Sequence, residues 1–324
     1  MTLFAVACEG DDVLALFEDG GDPRGEISVG SRPVHATVAA GRVFVATMGE
    51  RSVTVVEPGG EVTRVGTGVL GPVHLTTASH RLLVPCTAGD AVAVIDPGAP
   101  ALEGRVATGA EPHDVGVLGD VAVAGSRTGG VLTVFDPATR EVTVRHEVPD
   151  PDTARIQGVD AAPGGAVPEA VTVEGVYAVD QGNDRVLLAD ADGIRASAAV
   201  GQAPYEATVN AARVYVPGRE SDTVHEFALD LSERAVHDTA AGPEGVVVVD
   251  GVPWTFHRDA PVLRSLDGGE VSLPAPVLAA TALPDGRVLC SHYDDDAISL
   301  VDPGAGALAW TVETPANPFG SVAV

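Results

Sequence analysis

The stretch Arg32-Pro33-Val34-His35-Ala36-Thr37-Val38 decides the fold, because versions of it recur along the whole chain. In each copy a proline is followed by two variable residues and then by small or β-branched residues. By subtraction, successive prolines stand 39, 40, 56, 36, 39, 33 and 42 residues apart. Self-similarity at about forty residues indicates a repeat architecture. The copies begin at Pro33, Pro72, Pro112, Pro168, Pro204, Pro243, Pro276 and Pro318.

Each repeat contains the signals for four short strands. In the first repeat these are residues 33–38, 42–47, 53–57 and 61–65, with Gly-containing turns between them. Valine-rich alternating runs of this length, bounded by Gly, Pro and Asp, predict β-strands. Four antiparallel strands in about forty residues are typical of one blade of a β-propeller.

The two ends of the chain predict how the ring closes. The last repeat leaves only residues 318–324, enough for one strand, while residues 1–32 contain the three runs FAVAC, VLALF and GEISV. We therefore predict a single all-β domain over residues 1–324. It is an eight-bladed β-propeller in which the C-terminal strand joins the N-terminal strands. A seven-bladed ring is the alternative, with the short unit 243–275 as the place where a blade would be lost.

One interval between repeats is unusually long. Residues 149–167 are rich in Pro, Gly, Asp and Ala and show no strand pattern. We expect them to form a long loop from the outer strand of one blade to the inner strand of the next, emerging on the channel-mouth face. Arg155 and Gln157 in this segment are candidates for part of a lid.

The charge and the cysteine content limit which binding partners and which cellular compartment are expected. The chain has 46 acidic residues against 19 arginines and no lysine, which gives a formal net charge of -27. Such a surface repels nucleic acid and anionic membranes, so neither is expected as a partner. A salt-rich cytoplasm and a GC-rich genome both explain the acidity. Three cysteines, no signal-peptide pattern and no membrane-length apolar run predict a cytoplasmic location.

Three repeats carry the pattern of a known family. Residues 82–100 (LLVPCTAGDAVAVIDPGAP), 121–139 (VAVAGSRTGGVLTVFDPAT) and 288–306 (VLCSHYDDDAISLVDPGAG) resemble the YVTN-type β-propellers and the neighbouring virginiamycin B lyase-like family. The resemblance covers essentially the whole chain and implies the propeller fold. It implies less about activity, because propellers host many functions. In the lyase-like proteins, His and Glu at a Mg-dependent channel mouth open an ester-linked ring by elimination, but those residues do not match this chain one by one.

Propeller geometry predicts that two sets of residues share one face. Because blade strands run antiparallel, the start of the inner strand and the end of the second strand lie at the same end of the sheet. The inner-strand starts contribute Val34/His35, Val73/His74, His113/Asp114, Glu169, Tyr205/Glu206, Glu244, Val277 and Phe319. The second-strand ends contribute Cys8/Glu9, Thr47/Met48, Cys86/Thr87, Ser126/Arg127, Asp180/Gln181, Arg219, His257/Arg258 and His292/Tyr293.

A first hypothesis for this face is a metal centre. His35, His74, His113 and Asp114 supply nitrogen and oxygen ligands suited to Mg, Zn, Fe, Mn or Ni. A propeller brings side chains together from different blades, so no short spacing such as HExxH is expected. The alternative for each histidine is a structural role at the channel rim.

A second hypothesis is acid–base chemistry, with or without a metal. His257 and His292 are the candidate general base and acid, oriented by Glu206. Tyr205 and Tyr293 are candidate donors to a developing oxyanion. The candidate substrate-binding residues are Arg127, Arg219, Arg258, Glu169 and Glu244, of which the arginines suit a carboxylate or phosphate.

Together these patterns favour a lyase or hydrolase that acts on a small anionic molecule, with a divalent metal as an optional cofactor. The alternative is a non-catalytic YVTN-type propeller that binds a ligand or presents its loops to a protein partner. A protein-binding face should be rich in exposed aromatic residues. Only 4% of the residues are aromatic, which favours the small-molecule site.

Overall fold

The chain folds into an eight-bladed β-propeller, as the repeats predict. The computed structural model describes residues 2–160, 175–210 and 212–324. In this part of the chain, eight four-stranded antiparallel sheets are arranged as the blades of a ring. Short 3-10 turns at Thr87–Gly89, Gln181–Asn183 and Tyr293–Asp295 follow three of the second strands. Across the same residues, no helix has both the length and the apolar character needed to cross a bilayer.

The strands are numbered in chain order, and each blade is given from its innermost strand outward. Blade 1 contains β32 (Pro318–Ala323), β1 (Leu3–Cys8), β2 (Val13–Glu18) and β3 (Pro23–Ser28). Blade 2 contains β4 (Pro33–Ala39), β5 (Arg42–Thr47), β6 (Ser52–Val56) and β7 (Val62–Gly66). Blade 3 contains β8 (Thr76–Ala78), β9 (Arg81–Cys86), β10 (Ala91–Asp96) and β11 (Ala101–Ala107). Blade 4 contains β12 (Pro112–Leu118), β13 (Val121–Ser126), β14 (Val131–Phe135) and β15 (Val142–Glu147).

The second half of the ring repeats this order. Blade 5 contains β16 (Ile156–Asp160), β17 (Val176–Asp180), β18 (Arg185–Asp190) and β19 (Gly193–Ala199). Blade 6 contains β20 (Thr208–Asn210), β21 (Arg213–Gly218), β22 (Thr223–Phe227) and β23 (Glu233–Asp238). Blade 7 contains β24 (Pro243–Val249), β25 (Val252–His257), β26 (Val262–Ser265) and β27 (Glu270–Ser272). Blade 8 contains β28 (Ala279–Ala282), β29 (Val288–His292), β30 (Ala297–Asp302) and β31 (Ala307–Glu313).

The ring closes through the two ends of the chain. β32 pairs antiparallel with β1, with Phe4 opposite Ala323, Ala5 opposite Val322 and Val6 opposite Ser321. The predicted closure of the N-terminal strands by the C-terminal strand is therefore confirmed. The short unit 243–275 forms a complete four-stranded blade, so the ring has eight blades and not seven.

Burial follows the radial position of each strand. The second strands are buried along both faces, as in β5 and β9, because blades stack against them on either side. Continuous apolar runs of this kind are the signature of fully buried strands. The outermost strands alternate instead: β31 exposes every other residue toward its end. The hydrophobic core thus lies between the blades, and the acidic residues collect at the perimeter.

Aspartates link neighbouring blades by one repeated hydrogen bond. Each stands in the left-handed backbone region just before a third strand, and its Oδ1 accepts the N–H of the residue preceding the next inner-strand proline. Such a bond satisfies a loop N–H without further secondary structure. The pairs are Asp12 with Arg32 (2.8 Å), Asp90 with Glu111 (3.0 Å), Asp184 with Ala203 (2.9 Å), Asp222 with Gly242 (2.9 Å) and Asp296 with Asn317 (2.8 Å).

The structure corrects the prediction for residues 149–167. They are not a strand-free loop between blades, because residues 156–160 form β16, the innermost strand of blade 5. In this strand Ile156 and Val159 are buried and pair with Asp180 and Ala178 of β17. The proposed blade start at Pro168 lies outside the described residues. The sequence pattern did not predict this strand because Gly158 interrupts it. A glycine fits there because a Cβ would stand 3.1 Å from the Cα of Glu206 in the neighbouring blade.

Candidate functional site

A cavity of about 280 Å³ lies in the central channel, where the innermost strands converge. Side chains two residues apart on a strand point to the same side. A β-bulge after the leading proline of β4 and of β12 determines which side chains of these strands face the cavity. The titratable side chains that line the cavity are His35, His74, Asp114, Asp160, Tyr205, Glu206 and Glu244.

Three imidazoles form an arc along one side of this channel. The ring centroids of His35 and His74 are 5.4 Å apart, and those of His74 and His113 are 4.8 Å apart. His113 also fixes its Nδ1 on the carbonyl oxygen of Gln157, at 2.8 Å. Burial, with the nearby imidazole of His74, lowers the pKa of His35 and that of His113 to about 3. These two rings are therefore neutral near pH 7.

The predicted metal centre is not assembled by these side chains. In the described part of the chain, no group of three or more His, Cys, Asp or Glu side chains is arranged to hold a metal ion. The rings of His35, His74 and His113 contact one another in series. One nitrogen of His113 is already committed to the backbone. The residues present do not fit a metal, and no chemistry is derived from one.

Carboxyl groups occupy the seams between three consecutive inner strands. The Oδ2 of Asp114 accepts the N–H of Val159 at 3.0 Å, and the Oδ2 of Asp160 accepts the N–H of Ala207 at 3.3 Å. Burial raises the pKa of Asp160 well above its usual range, and the charges of Asp114 and Glu206 raise it further. Burial likewise raises the pKa of Glu206. Asp160 and Glu206 therefore hold protons more tightly than exposed carboxyl groups do.

An arginine, a tyrosine and a glutamate form a cluster at the channel mouth. The guanidinium of Arg219 lies 3.8 Å from the ring centroid of Tyr205 and forms an ion pair with Glu244. Arg258 approaches the other oxygen of Glu244 at 3.9 Å. Burial raises the pKa of Tyr205 to about 12, so its hydroxyl stays protonated and able to donate. The cluster brings a phenol donor and two guanidinium groups to one place.

A third arginine belongs to the same mouth. The charge of Arg127 lowers the pKa of both Tyr205 and His113. It opposes the effect of burial on Tyr205 and adds to the effect of burial on His113. The Nε of Arg127 and the Nε of Arg219 are buried, and neither has a hydrogen-bond partner among the described residues. Buried donors without partners are costly and suit an incoming acceptor. Arg219 and Arg258 therefore share Glu244, while Arg127 acts on the same mouth through its charge.

Comparison with known proteins places this fold but not its activity. No protein-family model matches the chain, and no curated protein matches it either. Solved structures do match. Dihydro-heme d1 dehydrogenase NirN in complex with DHE gives a TM-score of 0.74 at 14% identity, over 99% of this chain and 74% of that one. Streptogramin B lyase gives 0.64 at 11% identity, over 80% of this chain and 89% of that one.

A third match is a putative 6-phosphogluconolactonase from Bacteroides uniformis. Its TM-score is 0.64 at 14% identity, over 100% of this chain and 99% of that one. The chain shares their propeller fold. At identities this low, the similarity shows only a shared fold. The names of the three matched proteins state different reactions, so the fold does not indicate which activity this chain has. The likeness to streptogramin B lyase agrees with the resemblance inferred from the repeats, at the level of architecture.

The charge state of Glu244 predicts a measurable pH effect on stability. Its side chain is 6% exposed, and burial raises its pKa from 4.5 to about 7 against the opposing effect of Arg219. A raised pKa stabilises the native state below pH 4.5, and that contribution is lost as the pH rises through 7. Between pH 4.5 and pH 8 the wild type should lose about 3 kcal/mol relative to Glu244→Gln.

Urea unfolding of both proteins, followed by the fluorescence of Trp254 and Trp310, measures this difference. Because both proteins are measured at the same pH values, effects of pH that do not involve Glu244 cancel from the comparison. A gap between wild type and variant that stays constant from pH 4.5 to pH 8 would show that Glu244 ionises as an ordinary exposed carboxyl.

His257 and His292 do not reach the channel, contrary to the acid–base prediction. Both are fully buried at the ends of second strands. The Nε2 of His257 binds the hydroxyl of Thr239 at 2.9 Å, and its Nδ1 lies 3.0 Å from a carbonyl oxygen. The Nε2 of His292 binds Ser299 at 2.7 Å, and its Nδ1 lies 2.9 Å from a carbonyl oxygen. With both nitrogens engaged between blades, these rings have a structural role.

The other predicted residues divide between the mouth and positions beyond it. The hydroxyl of Tyr293 donates to Glu9 at 2.8 Å, and its ring lies 5.9 Å from that of Phe319, which lines the cavity. Tyr293 is therefore beside the mouth, bound to a neighbour. Glu169 lies outside the described residues. Sequence reasoning missed Asp160, although starting the repeat at Ile156 would have given more even intervals, of 44 and 48 residues in place of 56 and 36.

Proposed function

We propose that the protein is a small-molecule enzyme, a lyase or hydrolase, that acts on an anionic substrate at the mouth of its channel. One observation carries the proposal: a single cavity joins the neutral imidazole of His35 and the imidazole of His74 with proton-holding carboxyl groups and a phenol, beside three arginines. Titratable groups whose environments push their pKa values apart are typical of acid–base sites. A cavity of about 280 Å³ suits a small molecule.

The roles follow from position. Arg127 and Arg219 hold the carboxylate or phosphate of the substrate through their free N–H groups. His74, in the middle of the imidazole arc, takes a proton from a C–H bond in an elimination or from water in a hydrolysis. Glu206 gives its proton to the departing oxygen as the C–O bond breaks. Tyr205 donates a hydrogen bond to the oxyanion that develops.

Turnover assays test this proposal with probes suggested by the matched structures. Purified protein is supplied with 6-phosphogluconolactone, an anionic lactone, and with a streptogramin B, a cyclic ester. Where either is turned over, Glu206→Gln should lower kcat/KM by at least about 100-fold, because the general acid is lost. Asp120→Asn, which changes an exposed surface carboxylate, is the matched control and should leave kcat/KM within a factor of two.

The second candidate function is a propeller that binds its ligand without chemistry. It is favoured by the partners that mouth residues already have, since Arg219 is paired with Glu244 and His113 with a backbone carbonyl. Thermal shifts with both probes separate the candidates. A stabilised protein that turns over neither probe supports binding alone, whereas turnover that survives in Glu206→Gln removes this residue from the chemistry.

A further inference from the structure

The channel separates opposite charges along its length. The inner strands run inward from the mouth, where the Arg219 cluster lies. Glu206 stands two residues and Asp160 four residues after the first residue of its inner-strand segment. Because a register shift interrupts β16, Ile156 and Asp160 lie opposite Asp180 and Tyr177, and Asp160 is about 10 Å along the strand at about 3.3 Å per residue. The channel is therefore positive at the mouth and acidic further in.

The acidic end has hydrogen-bonding capacity that the protein does not use. Among the described residues, nothing donates a hydrogen bond to Oδ1 of Asp160 or to either carboxyl oxygen of Glu206. Glu244 also lines the cavity, and its Oε2, buried in a side chain only 6% exposed, accepts no hydrogen bond from the described chain. Leaving a buried acceptor such as Oε2 of Glu244 unpaired costs about 1–3 kcal/mol. Four carboxyl groups around one small cavity also repel one another.

We infer that the ligand of this channel is a zwitterion, with an anionic group at Arg127 and Arg219 and an ammonium group against Asp160. This inference rests on the proposed function and narrows its substrate class. An ammonium group offers three donors, which matches a set of acceptors that lack partners. It also supplies the positive charge that clustered carboxylates require. An ω-amino carboxylate is the simplest molecule of this class.

The geometry favours an organic cation over a metal ion at the acidic end. In the described residues, no three His, Cys, Asp or Glu side chains are grouped to coordinate a metal. Asp114 and Asp160 each use one oxygen on a backbone N–H of the neighbouring inner strand. The other oxygen of Asp114 accepts the N–H of Val115 at 2.7 Å, so the oxygens without a donor in the described part of the chain belong to Asp160 and Glu206 on successive blades.

Isothermal titration at pH 7.5 tests the inference directly. The probes are 4-aminobutanoate, 5-aminopentanoate and 6-aminohexanoate, each beside the carboxylate and the alkylamine of equal length, with MgCl2 as a further probe. We expect the best amino carboxylate to bind at least 10-fold more tightly than its matched carboxylate. Asp160→Asn should reduce that preference at least fivefold, while Asp120→Asn leaves it unchanged.

The other outcomes distinguish the two proposals. Carboxylates that bind as tightly as amino carboxylates, with an affinity lost in Arg127→Ala, would overturn the zwitterion and leave the anion site standing. Alkylamines that bind as tightly as amino carboxylates, or Mg²⁺ binding that Asp160→Asn abolishes with no amino-carboxylate preference, would overturn it too. If no probe of the series binds, the zwitterion inference is wrong and the anion site loses its support. The wild-type series gives its answer even if a variant fails to fold.

Discussion

Deleting residues 318–324 is expected to abolish cooperative folding of this protein. The deletion removes β32, the innermost strand of blade 1, and leaves one edge of β1 without its hydrogen-bonding partner. β32 also supplies Phe319, Val322 and Ala323 to three different hydrophobic clusters. The ring would then be open at one place, with apolar surface exposed on both sides of the gap.

The expected loss is at least about 5 kcal/mol, which is comparable to the whole stability of many native proteins. Thermal unfolding followed by circular dichroism should show a midpoint more than about 10 °C lower, or no transition at all. Deleting Val324 alone, a residue that is 52% exposed, is the matched control and should cost less than about 1 kcal/mol.

Strand complementation makes this test sharper. A synthetic peptide of residues 314–324, added in excess, should restore the transition of the truncated protein, since it can re-form the pairing with β1. A truncated protein that melts within 2–3 °C (roughly 1 kcal/mol) of the wild type would show that the other seven blades hold the ring without closure.

Replacing Arg219 by alanine should be the most destabilising single change at the channel mouth. Arg219 is the ion-pair partner of Glu244, and the two side chains are 14% and 7% exposed. Removing one member of a buried pair leaves an uncompensated charge, which costs about 3–5 kcal/mol. The lost stacking on Tyr205 adds to this cost.

The cost of Arg219→Ala should depend on pH in a defined direction. Below pH 4.5 Glu244 is protonated in both the folded and the unfolded state and needs no partner. As the pH rises toward 8, the unfolded chain ionises this carboxyl while the folded variant resists it. Because the pKa of Glu244 is already about 7 in the wild type, the variant should lose at most about 1.4 kcal/mol more than the wild type between pH 4.5 and pH 8. Urea denaturation at the two pH values measures the difference.

Two further variants isolate the pair. In Arg219→Ala/Glu244→Gln the buried charge is gone, and most of the stability at pH 8 should return. Arg258→Ala is the matched control, because its side chain is 47% exposed and lies 3.9 Å from Glu244, and it should cost under about 1 kcal/mol. Equal losses in Arg219→Ala and Arg258→Ala would mean that neither arginine forms a buried pair.

Much of the fold could be predicted from local signals. The alternation in residues 42–47 and 53–57 marks strands, and the Gly and Asp turns between them mark hairpins, because both patterns act over a few residues. The leading prolines gave the phase of the repeat at seven of eight blades. The proline rule failed at blade 5, because the inner strand begins at Ile156 and Gly158 weakens its strand pattern.

The site was predicted only in part. Placing His35, His74, Asp114, Tyr205 and Glu206 together needed only the rule that inner-strand starts converge, and the cavity contains all five. The same rule fails for the ends of second strands. Those residues lie one strand further from the axis, between blades, where a side chain such as His257 or His292 is enclosed and bonds to the neighbouring strands.

The sequence by itself determined the strands, the turns, the eight-fold repeat and the closure of the ring, because each depends on spacing along the chain. Only the tertiary structure decided which polar side chains share one cavity. That outcome depends on how eight inner strands converge, on bulges such as the one between Pro33 and His35, and on close approaches such as Gly158 against Glu206. Such contacts join residues of different blades, so no short stretch of sequence records them.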